Sequence, residues 1–216
     1  MRATYPAPGS PAPAHGLLLR PWHPADAAAL VDAHRDEAMR RWLTGPFDDV
    51  AAARGWIDAQ ERAADRGERF SFAVVEERNA PEDGTGADGA GALAAAGGPA
   101  DAGDQTEPDD LADTGALAGQ VVLRLPHPGA LLGEVGYWTA ARARGRRVAP
   151  RALEALTRWA FTSFDALTAL ELTHQESNHA SCRVAERCGY TLARVLPPWP
   201  PRFPGPGHVH VRHREG

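Results

Sequence analysis

At 216 residues the chain is long enough for one domain with a full core, and its hydrophobic content of 43% is ordinary for a globular protein. No run of about 18 apolar residues occurs, which excludes an apolar membrane-spanning helix. The net charge of −5 hides a division: residues 80–118 hold nine acids and no arginine, so the remainder is about +4. That excess suits a phosphate-bearing ligand but is too small and too local for nucleic acid.

All 23 basic residues are arginine. The start lacks an apolar h-region, so no secretory signal is expected. Cys182 and Cys188 sit six apart on one predicted helix, a spacing for neither a disulfide framework nor a metal knuckle. A reducing cytoplasm is the expected compartment.

Taken in order, residues 1–15 are Pro/Ala-rich without hydrophobic period and read as a flexible tail. The domain is expected over 16–216. Leu17 to Trp22 is a short first strand, ended or placed at an edge by Pro21. A helix starts at Pro24 and runs to His34, with Ala27, Leu30, Val31 and His34 at helical spacing. Asp36 to Trp42 is a short helical piece. Val50 to Arg66 is a longer one, with Gly67 beyond its end as a cap. Phe70 to Glu76 alternates as a strand.

Residues 80–118 are then 20 Ala or Gly out of 39, with no aromatic residue. Such a stretch buries too little apolar surface to offset its ordering entropy. An insertion over 78–117 is expected, either disordered or acting as an acidic lid for a cationic substrate. Strands resume at Ala118 to Leu125 and Gly133 to Thr139, with a turn at Pro126-His127-Pro128-Gly129 between them. A helix follows from Ala149 to Phe164, then a strand from Leu167 to Gln175. Next come a helix from Ala180 to Cys188 and strands at Tyr190 to Leu196 and His208 to Arg214. With two main helices ahead of the second strand, the order is β-α-α-β-β-β-α-β-α-β-β.

Between the fourth strand and the next helix lies Trp138-Thr139-Ala140-Ala141-Arg142-Ala143-Arg144-Gly145-Arg146-Arg147-Val148-Ala149-Pro150. A loop that opens a helix aims unpaired N–H groups and the positive end of the dipole outward, which suits phosphate. Arginines add forked, charged donors. Neither a P-loop nor a G-x-G-x-x-G fingerprint is present. The pattern Arg142-x-x-Gly145-x-Arg147 resembles the [QR]-x-x-G-x-[GA] loop of the GCN5-related N-acetyltransferases (the GNAT family), with Arg147 where the family has Gly or Ala. A second segment, Asn178-His179-Ala180-Ser181-Cys182-Arg183-Val184-Ala185-Glu186-Arg187-Cys188-Gly189-Tyr190, is similar to the family's N-x-x-S-x-x-[VL]-x-E-x-x-G-[FY]. Gly133-Glu134-Val135-Gly136-Tyr137-Trp138 looks like its fourth strand. The Arg-Pro-Trp start and the two early helices resemble the ribosomal-protein (RimJ/RimL-like) branch.

The resemblance implies an α/β (α+β) GNAT fold: a mixed, mostly antiparallel sheet with helices on both faces and splayed fourth and fifth strands. It implies acetyl-CoA as co-substrate, with the cofactor at Trp138, Thr139, Arg142, Arg144, Gly145, Arg146, Arg147, Val148, Ala149, Asn178 and Ser181. Asn178 has a second reading as the cap of its helix. The implied reaction is direct attack of an amine on the acetyl thioester. The acceptor is a protein N-terminal amine or a small-molecule amine, with no nucleic acid or membrane partner and with oligomeric state open.

General bases are sought in Glu134, Glu171 and His174, all on the fourth and fifth strands. The family's thiolate-protonating tyrosine is replaced by Ala185, leaving Ser181, Tyr137 or water. Glu134, His174 and Ser181 are the catalytic candidates. Cys182, a helical thiol without a paired histidine, is a weak nucleophile candidate. His208, His210 and His213 do not share one strand face and have no thiol or acid ligand beside them, so no metal is expected. Trp22, Trp42, Trp56 and Trp199 are expected as core or cleft wall. The alternative to an enzyme is a silent acyl-CoA-binding module.

Overall fold

A computed structural model describes residues 16–42, 45, 47–76, 115–200 and 203–215. The expected tail at 1–15 lies outside the described residues, as does the predicted insertion from 78 to 114. The insertion's expected end at 117 is corrected: Leu117 is the first residue of a strand and is buried. Its apolar side chain joins the hydrophobic core around Leu30 and Ile57.

Seven strands form one sheet: β1 (Leu17–Pro21), β2 (Arg69–Glu76), β3 (Leu117–Arg124), β4 (Leu132–Thr139), β5 (Ala169–Gln175), β6 (Thr191–Leu196) and β7 (Gly207–His213). Their order is β1-β2-β3-β4-β5-β7-β6. Every neighbouring pair is antiparallel except β4–β5, which is parallel. Pro21 closes β1 at the sheet edge, where its missing N–H costs no ladder bond.

Between β1 and β2 run three helices, α1 (Ala27–His34), α2 (Glu37–Trp42) and α3 (Val50–Asp65). A 3-10 turn at Pro24–Asp26 leads into α1. It is locked by Asp26, whose carboxylate takes two 2.7 Å bonds from Arg20 and one of 2.8 Å from the His23 N–H. The Asp49 side chain caps α3 on the Ala52 N–H at 2.8 Å. Gly67, at φ 70°, turns the chain out of α3 as expected. After β4 come α4 (Val148–Ser163) and, past β5, α5 (His179–Arg187).

Two cores flank the sheet. On one face α4 and α5 bury Val148, Ala152, Leu153, Leu156, Ala160, Ala185 and Cys188 against Leu19, Phe70, Val121, Leu123 and Leu170. The fully buried Thr157 and Tyr190 hydroxyls satisfy each other at 2.6 Å. On the other face α1 and α3 bury Leu30, Val31, Ala53 and Ile57 against Ala73, Val75 and Trp138. Helical period 3.6 and strand period 2 therefore land on matching faces.

His34 of α1 is packed between Phe47, with ring centroids 4.6 Å apart, and Trp138 at 5.6 Å. Its Nε2 is buried without a hydrogen-bond partner among the described residues. Burial lowers its pKa from 6.5, because the charged ring would lose its hydration. The folded state thus binds this proton less tightly than the unfolded chain. The stability tied to the neutral ring is full above pH 6.5 and is lost as pH falls below it. Urea unfolding at stepped pH should give a shallower loss below 6.5 for His34→Leu than for the wild type; identical slopes would contradict this account.

Candidate active site

Parallel pairing of β4 with β5 spans only Leu132↔Ala169 to Val135↔Leu172. Beyond that point β4 stays with β3 as far as Gly119↔Thr139, and β5 stays with β7 as far as Gln175↔Gly207. The β5-facing edge of Gly136–Thr139 is therefore left without a strand partner. Such an edge offers N–H and C=O groups that need partners. Trp138 sends its ring into the α1/α3 core, 6.5 Å from Trp22, so only its backbone is available to a ligand. Thr139 is half-buried. Gly119 permits this: a Cβ there would lie 2.3 Å from the Trp138 carbonyl oxygen.

The arginine loop leaves the end of β4 through a 3-10 turn at Ala141–Ala143. Its side chains are largely committed. Arg142 donates to the Leu117 carbonyl, Arg144 pairs with Asp36, and Arg146 pairs with Glu76 at 2.7 Å. Arg151 donates to the carbonyls of Arg146 and Arg147, tying the loop to α4. Arg147 makes no side-chain hydrogen bond or ion pair among the described residues. Among the described residues no well-formed backbone bond takes up the N–H of Gly145, Arg146, Arg147, Val148 or Ala149. The loop thus offers a run of N–H groups at a helix start together with one uncommitted guanidinium. Val148 itself is buried core, so only its N–H faces the site. The nearby cleft lined by Arg20, Asp26, Asp32, Asp36 and Arg142 has three acids in its wall and does not suit phosphate.

Arg147 stands at φ 58° and Gly145 at φ 77°. Both are left-handed, which explains why the family pattern asks for glycine at such places. A non-glycine residue there carries about 1–2 kcal/mol of strain.

At the start of α5 the Asn178 side-chain oxygen accepts from the Ser181 N–H at 3.3 Å, so the capping role is present. Its amide NH2 remains a donor. Tyr137, from the splayed part of β4, donates its O–H to the Ser181 oxygen at 3.1 Å. Burial pushes the Tyr137 phenol up to about 12, so it keeps its proton at neutral pH. Ala185 is fully buried one helical turn beyond Ser181, and the phenol comes from β4 instead.

Glu134 and Glu171 are partners in the parallel ladder, side by side where it ends. Arg124 holds Glu134 at 2.7 Å, and Arg194 holds Glu171 through both oxygens at 2.7 and 2.9 Å. His174 lies on β5 as expected. Its Nδ1 donates to the Gln175 carbonyl at 2.8 Å, and it clusters with Cys182, His208 and His210. Two expectations are corrected here. Cys182 does have a histidine partner, the His208 Nδ1 at 3.5 Å, and a thiol does accompany the β7 histidines. Both contacts join residues 26 or more apart in sequence, so local spacing could not reveal them. Trp199 is also corrected: it is 76% exposed rather than part of a wall.

A sheet that opens between two parallel strands, with an anion-ready helix start beyond the opening and paired hydroxyls inside it, defines an acyl-transfer fold for an extended phosphate-bearing donor. Residues 16–191 match the acetyltransferase (GNAT) domain family. The chain belongs to this family and is an N-acetyltransferase. No curated protein matches the sequence at a significant level.

Among solved structures, a Vibrio cholerae protein assigned as a ribosomal-protein-serine acetyltransferase has 21% identity and a TM-score of 0.68, covering 96% of this chain and 99% of that one. The ribosomal-protein alpha-N-acetyltransferase RimL, in complex with coenzyme A, has 14% identity and a TM-score of 0.71 over 94% and 98%. The microcin self-immunity acetyltransferase MccE, in complex with acetyl-CoA and AMP, has 13% identity and a TM-score of 0.69 over 93% of each chain.

Position 147 provides a direct check on the loop. Replacing Arg147 by Gly removes the left-handed strain but adds about 0.4–1 kcal/mol of unfolded-state freedom. Replacing it by Val makes the strain worse, because a β-branched side chain tolerates positive φ least. Thermal unfolding should rank Arg147→Gly at or above the wild type and Arg147→Val roughly 1 kcal/mol or more below it. Equal stability of all three would mean that the left-handed turn is not held.

Proposed function

We propose that this N-acetyltransferase takes acetyl-CoA as its co-substrate and moves the acetyl group directly to a primary amine. The observation that carries the reading is the Tyr137–Ser181 hydroxyl pair beside the open edge of β4. Acetyl-CoA supplies the activated acetyl thioester; the chain supplies everything else. The N–H groups of Gly145 to Ala149, with the Arg147 side chain, bind its pyrophosphate. The unpaired edge of Gly136–Thr139 takes its pantetheine amides as a neighbouring strand would, and the Asn178 NH2 adds a donor. An N–H of the same edge polarises the thioester carbonyl. Ser181 gives its proton to the departing thiolate as it takes one from Tyr137, which holds its proton at neutral pH and is reprotonated from solvent once the product has left.

Glu134, at the mouth of the opening, accepts the proton that the attacking amine must lose. The choice of acceptor rests on likeness alone: two of the solved neighbours are named for acetylating ribosomal proteins. A protein N-terminal amine is accordingly the first candidate and a small-molecule amine the second. A silent acyl-CoA module would have no use for a half-buried, protonated phenol hydrogen-bonded to Ser181.

The deciding experiment pairs thermal unfolding with thiol release. Millimolar acetyl-CoA should raise the melting temperature, because it binds only the folded state, while ATP and NAD should not. Peptides beginning with serine should then release free CoA thiol. No shift and no release would overturn the reading; a shift without release across peptide and small-amine panels would favour the silent module.

Two substitutions separate the roles. Tyr137→Phe should lower kcat by roughly 10²-fold or more with little change in acetyl-CoA affinity. A wild-type kcat would remove Tyr137 from the proton path. Asn178→Ser keeps an oxygen to cap α5 but removes the NH2 donor. Its melting temperature should stay near that of the wild type while acetyl-CoA binding weakens; the opposite pattern would leave Asn178 with the cap alone.

A further inference from the structure

Three histidines and one cysteine, from three separate elements, meet beneath α5. His174 lies near the end of β5, Cys182 in the first turns of α5, and His208 and His210 on β7. In the β5–β7 ladder His208 is opposite His174 and His210 is opposite Leu172, so the three rings leave the sheet on one face. That is the face α5 covers with Ala185 and Cys188. One donor atom from each of the four residues lies within 4.8 Å of one from every other. The His174 and His210 rings stack at 5.2 Å, and His208 stands 5.7 Å from the first and 6.0 Å from the second.

Hydrogen bonds settle which nitrogens face inward. A carbonyl only accepts, so the His174 Nδ1 that meets the Gln175 oxygen at 2.8 Å carries the hydrogen. The His210 Nδ1, 3.3 Å from the Tyr190 oxygen, does likewise. Each Nε2 is then a bare lone pair. Both are buried with no hydrogen-bond partner among the described residues, and His210 is only 2% exposed. Two adjacent buried lone pairs without a donor are costly unless something electron-poor sits between them. The third ring repeats the arrangement: the His208 Nδ1 is 3.5 Å from the Cys182 sulfur, while its Nε2 is 3.6 Å from the Glu176 carboxylate.

We propose that His174, His208, His210 and Cys182 are the four ligands of a divalent transition-metal site, suited first to Zn2+, that pins the start of α5 to β5 and β7. Imidazole and thiolate together are the donor set this ion prefers. Ligand atoms on a tetrahedron with arms of about 2.0–2.3 Å stand about 3.3–3.8 Å apart. The Cys182–His208 separation already falls in that range, and side-chain rotation closes the rest. His174 and His210 also have an outer acceptor on the other nitrogen, the Gln175 and Tyr190 carbonyls, as metal-bound imidazoles have, and the Glu176 carboxylate stands 3.6 Å from the outer nitrogen of His208. On binding, the Cys182 thiol passes its proton to solvent and its sulfur bonds the metal; no redox change is involved.

The competing reading, a Cys182–His208 nucleophilic pair, needs a thiol made acidic. Burial and the Glu186 carboxylate push this one the other way. That reading also leaves the two orphaned Nε2 atoms without a purpose. The metal would brace the turn that carries Asn178 and Ser181, yet the inference does not rest on acetyl transfer, because metal binding is read with no acetyl-CoA or amine present.

Cobalt is the probe. The full chain, stripped with a chelator, is titrated with Co2+ and then with Zn2+. One equivalent of Co2+ should bind with the intense visible absorption of a tetrahedral site and a thiolate charge-transfer band, both abolished by Zn2+, and Zn2+ alone should raise the melting temperature. Cys188→Ala should keep the charge-transfer band and Cys182→Ser should lose it. His208→Ala, at the more open side of the cluster, should weaken Co2+ binding at least tenfold, and it decides the matter if Cys182→Ser does not fold. The proposal is overturned by no stoichiometric Co2+ binding, by a charge-transfer band that survives in Cys182→Ser, or by undiminished Co2+ affinity in His208→Ala.

Discussion

Strands β4 and β5 each have one partner they keep and one they give up. Trp138 is the anchor on one side: its ring is held among Trp22, His34 and the α1/α3 core, so β4 must follow β3 to Gly119↔Thr139. On the other side β5 is paired with β7 through Gln175↔Gly207. The twist between neighbouring strands then cannot be absorbed at the centre, and the parallel ladder ends after four pairs. The opening is therefore imposed by the packing of its two flanks. Closing it would cost the burial of Trp138 or three rungs of the β5–β7 ladder, each worth more than the few parallel bonds that would form.

That division also distributes the chemistry. The β1–β4 half carries the open backbone edge and Tyr137, and the β5–β7 half carries α5 with Asn178 and Ser181. The side-chain hydrogen bond from Tyr137 to Ser181 crosses the gap. Its length depends on how firmly the start of α5 is seated on β5 and β7. The His/Cys cluster lies in that seat.

Much of the fold was legible because each element carries its own periodic signal. The helix expected from Ala149 to Phe164 and the strand from Phe70 to Glu76 fell within one residue of their observed bounds, while the helix expected from Pro24 opens as a 3-10 turn and becomes α1 only at Ala27. What stayed hidden depends on contacts distant in sequence. The loop arginines could be counted, but nothing local revealed that Asp36 and Glu76 would take Arg144 and Arg146. Arg147 looked like a chemical departure from the family pattern, whereas its φ of 58° makes it a conformational one. A carboxylate's arginine could have been sought for Glu134 on the neighbouring strand, but the strand register that places Arg124 there needed the turn between β3 and β4. The start of β3 was missed by one residue because Gly115-Ala116-Leu117-Ala118-Gly119 holds a single apolar residue larger than alanine and so shows no alternation.

The charge pattern of the loop bears on how phosphate would be held. Of its four arginines, two are already neutralised by acids and one is spent on a carbonyl. A site built on four free guanidinium groups would bind any polyanion and lose its hold steeply with salt. A site built on five N–H groups at a helix start, with one free arginine, reads the shape of a phosphate as well as its charge. The committed arginines fix the loop: Arg144 and Arg146 tie it to the start of α2 and to β2, and Arg151 holds its carbonyls back toward α4. Fixing the loop in this way keeps its N–H groups aligned before any ligand arrives, so the ordering cost is met during folding rather than on binding.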